Sequence, residues 1–427
     1  MNDLNKINPL IAKSIILKLG ESGTPPENGI QFFTVGLESY SKVLEEEYLS
    51  GIIKAGLSAF KLVIGSYGGG KTHFFYNVRD LAWKNNFLVS YVPLSPKECP
   101  FDKLELVYKK IVTEIMSPPI TMTEMMNHQE RGIEALIKVW FYDIQGSLNS
   151  TDDLKEYIRS KIKTESISFS NAIKHAFMAL IENDDEKFNV IIQWLSGEGY
   201  DKNTHNKYGI TEKIDKITAI RMIRSLIQWI RQIEYSGLVL LFDEGERGLS
   251  ITSSKSKIQT LDNLREIIDE CGNSKIPGAM VFYSVPDINP LIEGSGPNYE
   301  ALKSRLTRGG FFHMQNPSGV QINLEKLEIG PQEFLTELGK KLSLIYEIAY
   351  GMKFQPEVID PSVKNLAKVA YEGRFLDIGY RRLFVKICIQ GLNNIRFNPN
   401  VIIDMVKAKE LAGVSMNAQV NTEDNNE

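Results

Sequence analysis

Eight consecutive residues carry the clearest chemistry in the chain: Gly65, Ser66, Tyr67, Gly68, Gly69, Gly70, Lys71 and Thr72. Their types and spacing fit the pattern G-x-x-x-x-G-K-[ST]. Glycines let successive backbone N–H groups turn toward one anion with no Cβ in the way. The apolar run Leu62-Val63-Ile64 precedes them and a helix-compatible stretch opens at Lys71. The positive end of that helix therefore faces the same anion. In such a loop Lys71 reaches the β- and γ-phosphate oxygens of a nucleoside triphosphate, and Thr72 places its hydroxyl on Mg²⁺. His73 follows directly and is counted with the nucleotide-binding loop, as a residue that packs beside it rather than one that catalyses.

The second constellation is LVLLFDEGE, Leu238 to Glu246. A buried strand that ends in two acids is costly unless the acids have a task beyond packing. Asp243 is expected at the C-terminal end of the strand, where α/β sheets bind their ligands, holding Mg²⁺ through water. Glu244 is the candidate to orient and polarise an attacking water. A bare phosphate-binding switch needs the metal ligand but no second acid, so the pair favours ATP hydrolysis. No guanine-reading Asn-Lys-x-Asp occurs.

Three weaker candidates follow. Ser284 closes an apolar run, with Asp287 just beyond, and is placed to contact the γ-phosphate or the water. Arg305 and Arg308 lie in SRLTRGGFF, where an arginine reaching a neighbouring subunit's γ-phosphate would complete a site at an interface. Arg381 and Arg382 in GYRRLF stand near a helix start, from which one would fold back on the nucleotide. Each has a plain alternative: a polar strand end, a surface ion pair, a solvated helix face. His128, His175, His205 and His313 lack metal-ligand spacing.

These residues need a frame. Apolar runs at 62–64, 87–92, 238–242 and 279–285, separated by helical patterns, predict a parallel α/β sheet covered on both faces. The expected organisation is N-terminal helices and an adenine-side linker over 1–56, with the first helix closing at Gly20. The first part of a P-loop core follows over 57–116 and a helical insertion over 117–213. The second part of the core, with the acidic strand, covers 214–330. A helical lid over 331–413 and a disordered tail over 414–427 complete it. Long insertions are usually functional or partner-binding.

Composition narrows the classes. Of 427 residues, 43% are hydrophobic and 24% charged, which excludes a disordered chain. The net charge of −4 shows no global basic excess of the kind that advertises nucleic acid. Cys99, Cys271 and Cys388 are scattered, as expected of reduced thiols in a cytoplasmic protein. No apolar run reaches the roughly 18 residues of a membrane span.

Over about residues 8–400 the chain resembles the P-loop ATPases of BREX-type phage-defence systems, whose fold is related to the Orc-like branch of AAA+ ATPases. SGTPPE followed by VGLESY, the GSYGGGKTHF loop, WLSGEG at Trp194–Gly199, GLVLLFDEGE and SRLTRGGFF carry the resemblance. It implies an AAA+/ASCE-like ATPase with a C-terminal helical lid, acting with ATP and Mg²⁺. Val35 and Gly36 would approach the adenine, as the Val-Gly-Arg box of related proteins does; Leu37 stands where that box has its arginine. Gly379-Tyr380-Arg381-Arg382 matches the sensor-2 pattern of Orc-like lids, with Arg382 at the arginine position. The implied partners are other proteins of a defence complex, with DNA reached, if at all, through them. A homo-oligomer closed by an arginine finger is a further option. Two other readings stay open: a nucleotide-gated assembly scaffold with little turnover alone, and a DNA loader or translocase.

Overall fold

The computed structural model describes residues 7–119, 130–148, 150–246, 253–373 and 379–423; His128 lies outside them. The chain divides into two compact units. One comprises Met1–Ser41, Ile64–Val78 and Asn323–Glu427, the other Lys42–Val63 and Arg79–Ile322.

The strands are β1 (Ala59–Ile64), β2 (Phe87–Pro93), β3 (Ile115–Met116), β4 (Gly237–Asp243), β5 (Ala279–Val285) and β6 (Gln321–Asn323). They form one largely parallel sheet in the order β3-β2-β4-β5-β1-β6. β1, β2, β4 and β5 coincide with the apolar runs of the sequence. β4 and β5 are buried along their whole lengths, so they read as continuous apolar runs rather than alternating ones. β4 pairs in parallel with β2, Phe87 opposite Gly237 through Pro93 opposite Asp243, and with β5, Leu238 opposite Ala279. β3 is antiparallel to β2.

The longer helices are α1 (Pro9–Ser22), α2 (Lys71–Lys84), α3 (Leu104–Thr113), α4 (Gly132–Ser147), α5 (Thr151–Lys161), α6 (Ile167–Glu182) and α7 (Asp185–Leu195). After them come α8 (Ala219–Gln232), α9 (Ser254–Gly272), α10 (Pro297–Thr307), α11 (Pro331–Tyr350), α12 (Pro356–Glu372), α13 (Tyr380–Phe397) and α14 (Met405–Glu423). α4 to α7 fill the span between β3 and α8. Two long-range hydrogen bonds fasten that span: Tyr108 OH donates to Leu195 O at 2.8 Å, and Trp194 Nε1 donates to Glu212 O at 2.9 Å. The Trp140 ring packs edge-on against Trp229 of α8.

In the unit that holds both chain ends, α1 packs with α11 and α13. Asn8 caps α1 by accepting from Leu10 N, and Pro9 sits at its first position, where no N–H is needed. The helix runs past Gly20, where the sequence reading closes it, to a left-handed Gly23 cap. Ile15, Ile16 and Leu19 share one core with Leu338, Leu342, Ile345, Phe384 and Ile387. The helices after residue 330 thus bury their faces partly against the first helix of the chain, not only against each other. α14 continues to Glu423, past the point where a structureless tail is expected. That stretch is free of proline and, beyond Gly413, of glycine, and it includes Ala, Met, Gln and Glu, which favour helix. Among the described residues no helix is long and apolar enough to cross a membrane.

β1, which leads into the glycine loop, is fixed by a buried lysine. Lys61 is 2% exposed. Its Nζ donates to Tyr48 OH at 2.7 Å, Gly319 O at 2.6 Å and Pro317 O at 3.2 Å, and it lies 4.2 and 4.4 Å from the ring centres of Tyr48 and Phe312. Burial pushes its pKa from 10.5 down to about 7. Between those values the unfolded chain binds the extra proton, so the Lys61 contribution to stability grows as pH rises through that window and is flat below it. Urea midpoints measured from pH 7 to 9 should therefore rise more steeply in the wild type than in Lys61→Met; equal slopes would refute the assignment.

Candidate functional site

The glycine loop is the direct continuation of β1. Gly69 N donates to Ser66 O at 2.9 Å, which closes a tight turn, and Phe74 N donates to Gly70 O, which opens α2. Gly68 and Gly70 have φ of 70° and 94°, a region that residues with a Cβ enter only at a cost. Lys71 is buried and folds back along the loop, its Nζ donating to Gly65 O at 2.7 Å and Ser66 O at 3.2 Å. Thr72 and His73 are the second and third residues of α2. Gly65 to Thr72 therefore form a single strand–turn–helix junction with a side-chain ammonium lying across it.

His73 faces the N-terminal segment. Thr34 Oγ1 donates to Ile30 O, so its lone pair is left for the 2.8 Å bond with His73 Nε2, which makes Nε2 the protonated nitrogen. Burial, helped by Arg381 and Lys341, pushes His73 down to about 4. The ring is thus neutral and packs against Phe33 at 5.1 Å. Next along the chain, Val35 is buried, and Gly36 fills the space beside Ile329, Leu327 and Phe334. Those three side chains, with Tyr380, Arg381 and Glu325, line a cavity of about 190 Å³.

Two arginines from the start of α13 reach this region. Arg382 donates to Ser22 O at 3.0 Å and to Tyr67 OH at 2.9 Å. Arg381 donates to Gly69 O and to Leu324 O, both at 2.6 Å. The side chain on the loop backbone is therefore Arg381, one position before the arginine singled out by the resemblance. Glu325 is a second partner that the sequence does not mark; its Oε1 accepts from Ser66 N at 3.1 Å and Ser66 Oγ at 2.8 Å.

The acidic strand end lies in the other unit. Asp243 is 2% exposed. Its Oδ2 accepts from Tyr91 OH at 2.7 Å, and its Oδ1 accepts from Ser284 Oγ and, at 2.9 Å, from Glu244 N. Glu244 N also donates to Ser284 Oγ at 3.2 Å, and Gly245 N donates to Ser284 O. Glu244 itself has φ of 60°, a left-handed backbone that is uncommon outside glycine. The structure thus brings Asp243, Glu244 and Ser284 together, adds Tyr91 from β2, and holds Glu244 in a single backbone direction. Asp287 caps the next turn through Asn289 N.

The remaining candidates lie at α10. Arg305 makes a fork with Asp269, Nε to Oδ1 at 2.6 Å and Nη2 to Oδ2 at 2.8 Å. Arg308 is exposed just past the helix. Of the two, Arg305 is committed to a partner in its own chain. Among the described residues no cluster of three or more His, Cys, Asp or Glu is arranged to hold a metal by itself.

Residues 7–409 match the family described as BREX system ATP-binding protein BrxC/D. No curated protein and no solved structure matches the chain.

Ser284 is fully buried and both donates to Asp243 and accepts from Glu244. Ser284→Ala removes one bond to a charged acceptor, a change worth about 1–3 kcal/mol. Equilibrium urea unfolding should register a loss of that order; an unchanged midpoint would mean that the three residues do not act as a bonded unit.

Proposed function

The chain belongs to the BREX system ATP-binding protein family, and from that premise we propose that it is a Mg²⁺-dependent ATPase of AAA+-like architecture, serving as the motor or switch of an antiphage defence complex. The observation that carries this reading is the conformation of Glu244. An acid held in a left-handed backbone, directly after a buried aspartate at the C-terminal end of a central strand, is the kind of local strain that accumulates at reactive sites. β4, which ends in these acids, is separated from β1, which ends in the glycine loop, by β5 alone. Ligands of open α/β sheets bind at the carboxyl ends of such strands.

In this reading the loop N–H groups and Lys71 hold the triphosphate, with Lys71 exchanging its carbonyl partners for phosphate oxygens. Val35, Gly36 and the cavity beside Phe334 receive the adenine. Thr72 and Asp243 supply the hard oxygen donors that suit Mg²⁺, which when bound neutralises phosphate charge. Glu244 orients the attacking water and takes its proton, with Ser284 fixing the backbone on which Glu244 stands. Arg308 is the better of the two arginines for reaching a neighbouring subunit, because Arg305 is already forked to Asp269. Other proteins of the defence complex are the expected partners.

ATP binding and phosphate release measured on the same full-length samples test the assignment. Lys71→Ala should lose both. Glu244→Gln should keep ATP binding and lose about 10²–10⁴-fold in turnover, the range for removal of a general base. A wild-type rate in Glu244→Gln removes that residue as the base. Tight binding with no turnover in the wild type alone would favour a nucleotide-gated scaffold.

A further inference from the structure

A glycine loop offers its N–H groups to an anion and has few side chains with which to hold its own shape. In this protein one face of the loop is gripped by neighbouring residues. Arg381 lays its guanidinium across two carbonyls, Gly69 O and Leu324 O, while Nε donates to Tyr380 OH at 3.1 Å. The guanidinium carbon lies 4.7 Å from the centre of the Phe334 ring, a cation–π contact beside the hydrogen bonds. Leu324 O belongs to the residue just before Glu325, whose carboxylate holds Ser66 N and Ser66 Oγ. A Cβ on Gly69 would come within 2.5 Å of that carboxylate, so Glu325 closes off the space beside the turn. Gly379, with φ of 71°, brings the start of α13 so close to Tyr67 O that a Cβ there would lie 2.3 Å from it. All of these contacts lie within one compact unit.

We propose that Arg381 is a positioning residue for the phosphate loop, acting with Glu325 as an outer clamp that holds Ser66–Gly70 in its anion-receiving shape. Arg381 acts on the loop through the Gly69 carbonyl and need not touch ATP. A cation bound to the Gly69 carbonyl polarises the peptide unit that it shares with the Gly70 N–H, and so strengthens that N–H as a donor. The clamp differs from the role that the resemblance gives to Arg382, whose guanidinium is engaged by Ser22 O and Tyr67 OH. A lysine cannot reproduce it, because an ammonium lacks the planar fork that spans two carbonyls.

The inference rests on the reading that the triphosphate binds this loop, and the experiment separates the two. Mg·ATP dissociation constants are measured by titration calorimetry on the full chain for the wild type, Lys71→Ala, Arg381→Ala and Arg381→Lys. The expected result is about a tenfold weakening in Arg381→Ala, a smaller one in Arg381→Lys, and partial recovery of Arg381→Ala by millimolar guanidinium, which a purely structural role would not give. Should Arg381→Ala fail to fold, Glu325→Gln, expected to weaken ATP a few-fold, carries the test. If Lys71→Ala binds like the wild type, the phosphate-site reading fails. If Lys71→Ala loses ATP while Arg381→Ala binds it normally and Glu325→Gln is silent, the site stands and the clamp is refuted.

Discussion

A loop made of glycines must have its shape imposed from outside, and much of this structure can be understood from that constraint. Four of the eight residues from Gly65 to Thr72 are glycine, so conformational entropy works against any one geometry. Three restraints oppose it. Lys61 ties β1, the strand that runs on into the loop, to the segment around Pro317 and Gly319. Lys71 folds back on Gly65 O and Ser66 O and closes the turn from within. Arg381 and Glu325 hold it from the side. The contacts of Lys71, Arg381 and Glu325 are charge-assisted, of the stronger class of hydrogen bond, and each is set against backbone freedom that an ordinary side chain would have limited.

The acidic strand end works on the opposite principle, because there the backbone is strained and not loose. A left-handed residue with a Cβ costs on the order of 1–2 kcal/mol. Glu244 adopts that state while its N–H is taken by Asp243 and Ser284. A hydrogen bond to a charged group contributes about 1.5–3 kcal/mol, enough to outweigh the strain. The buried Asp243 carboxylate in turn needs donors, and Tyr91 and Ser284 supply them. Local strain and buried charge therefore offset each other over Asp243, Glu244, Ser284 and Tyr91, and the same hydrogen bonds that satisfy the aspartate hold the Glu244 backbone.

The parts legible in the sequence are those whose chemistry is local. Glycine spacing before Lys71 marks the loop, and fully buried strands announce themselves as continuous apolar runs, so β1, β2, β4 and β5 could be read directly. β3 and β6, two and three residues long, are too short to leave a pattern. Tyr91 sits in the middle of an apolar run and is indistinguishable from a core aromatic until the pairing of β2 with β4 brings the two strand ends level. Glu325 is an exposed acid after a three-residue strand, and nothing local connects it to Ser66. The choice between Arg381 and Arg382 depends on the direction in which a helix start points, which two adjacent arginines leave open. The same blindness to long-range packing split the first helix of the chain from the helices that complete its core.

That last point bears on how the loop is held. Arg382 donates to Ser22 O at the end of α1, and Arg381 donates to Gly69 O, from consecutive positions of α13. α13 is itself positioned by a core to which α1 gives Ile15, Ile16 and Leu19. The glycine loop is therefore braced by a helix whose placement depends on residues from both ends of the chain. A change in the packing of α1 against α11 and α13 can reach the glycine loop through two arginine side chains and the close approach of Gly379, without altering any residue of the loop. Because a packed core has discrete arrangements and does not deform continuously, this connection is suited to couple the state of the helical elements to the shape of the glycine loop.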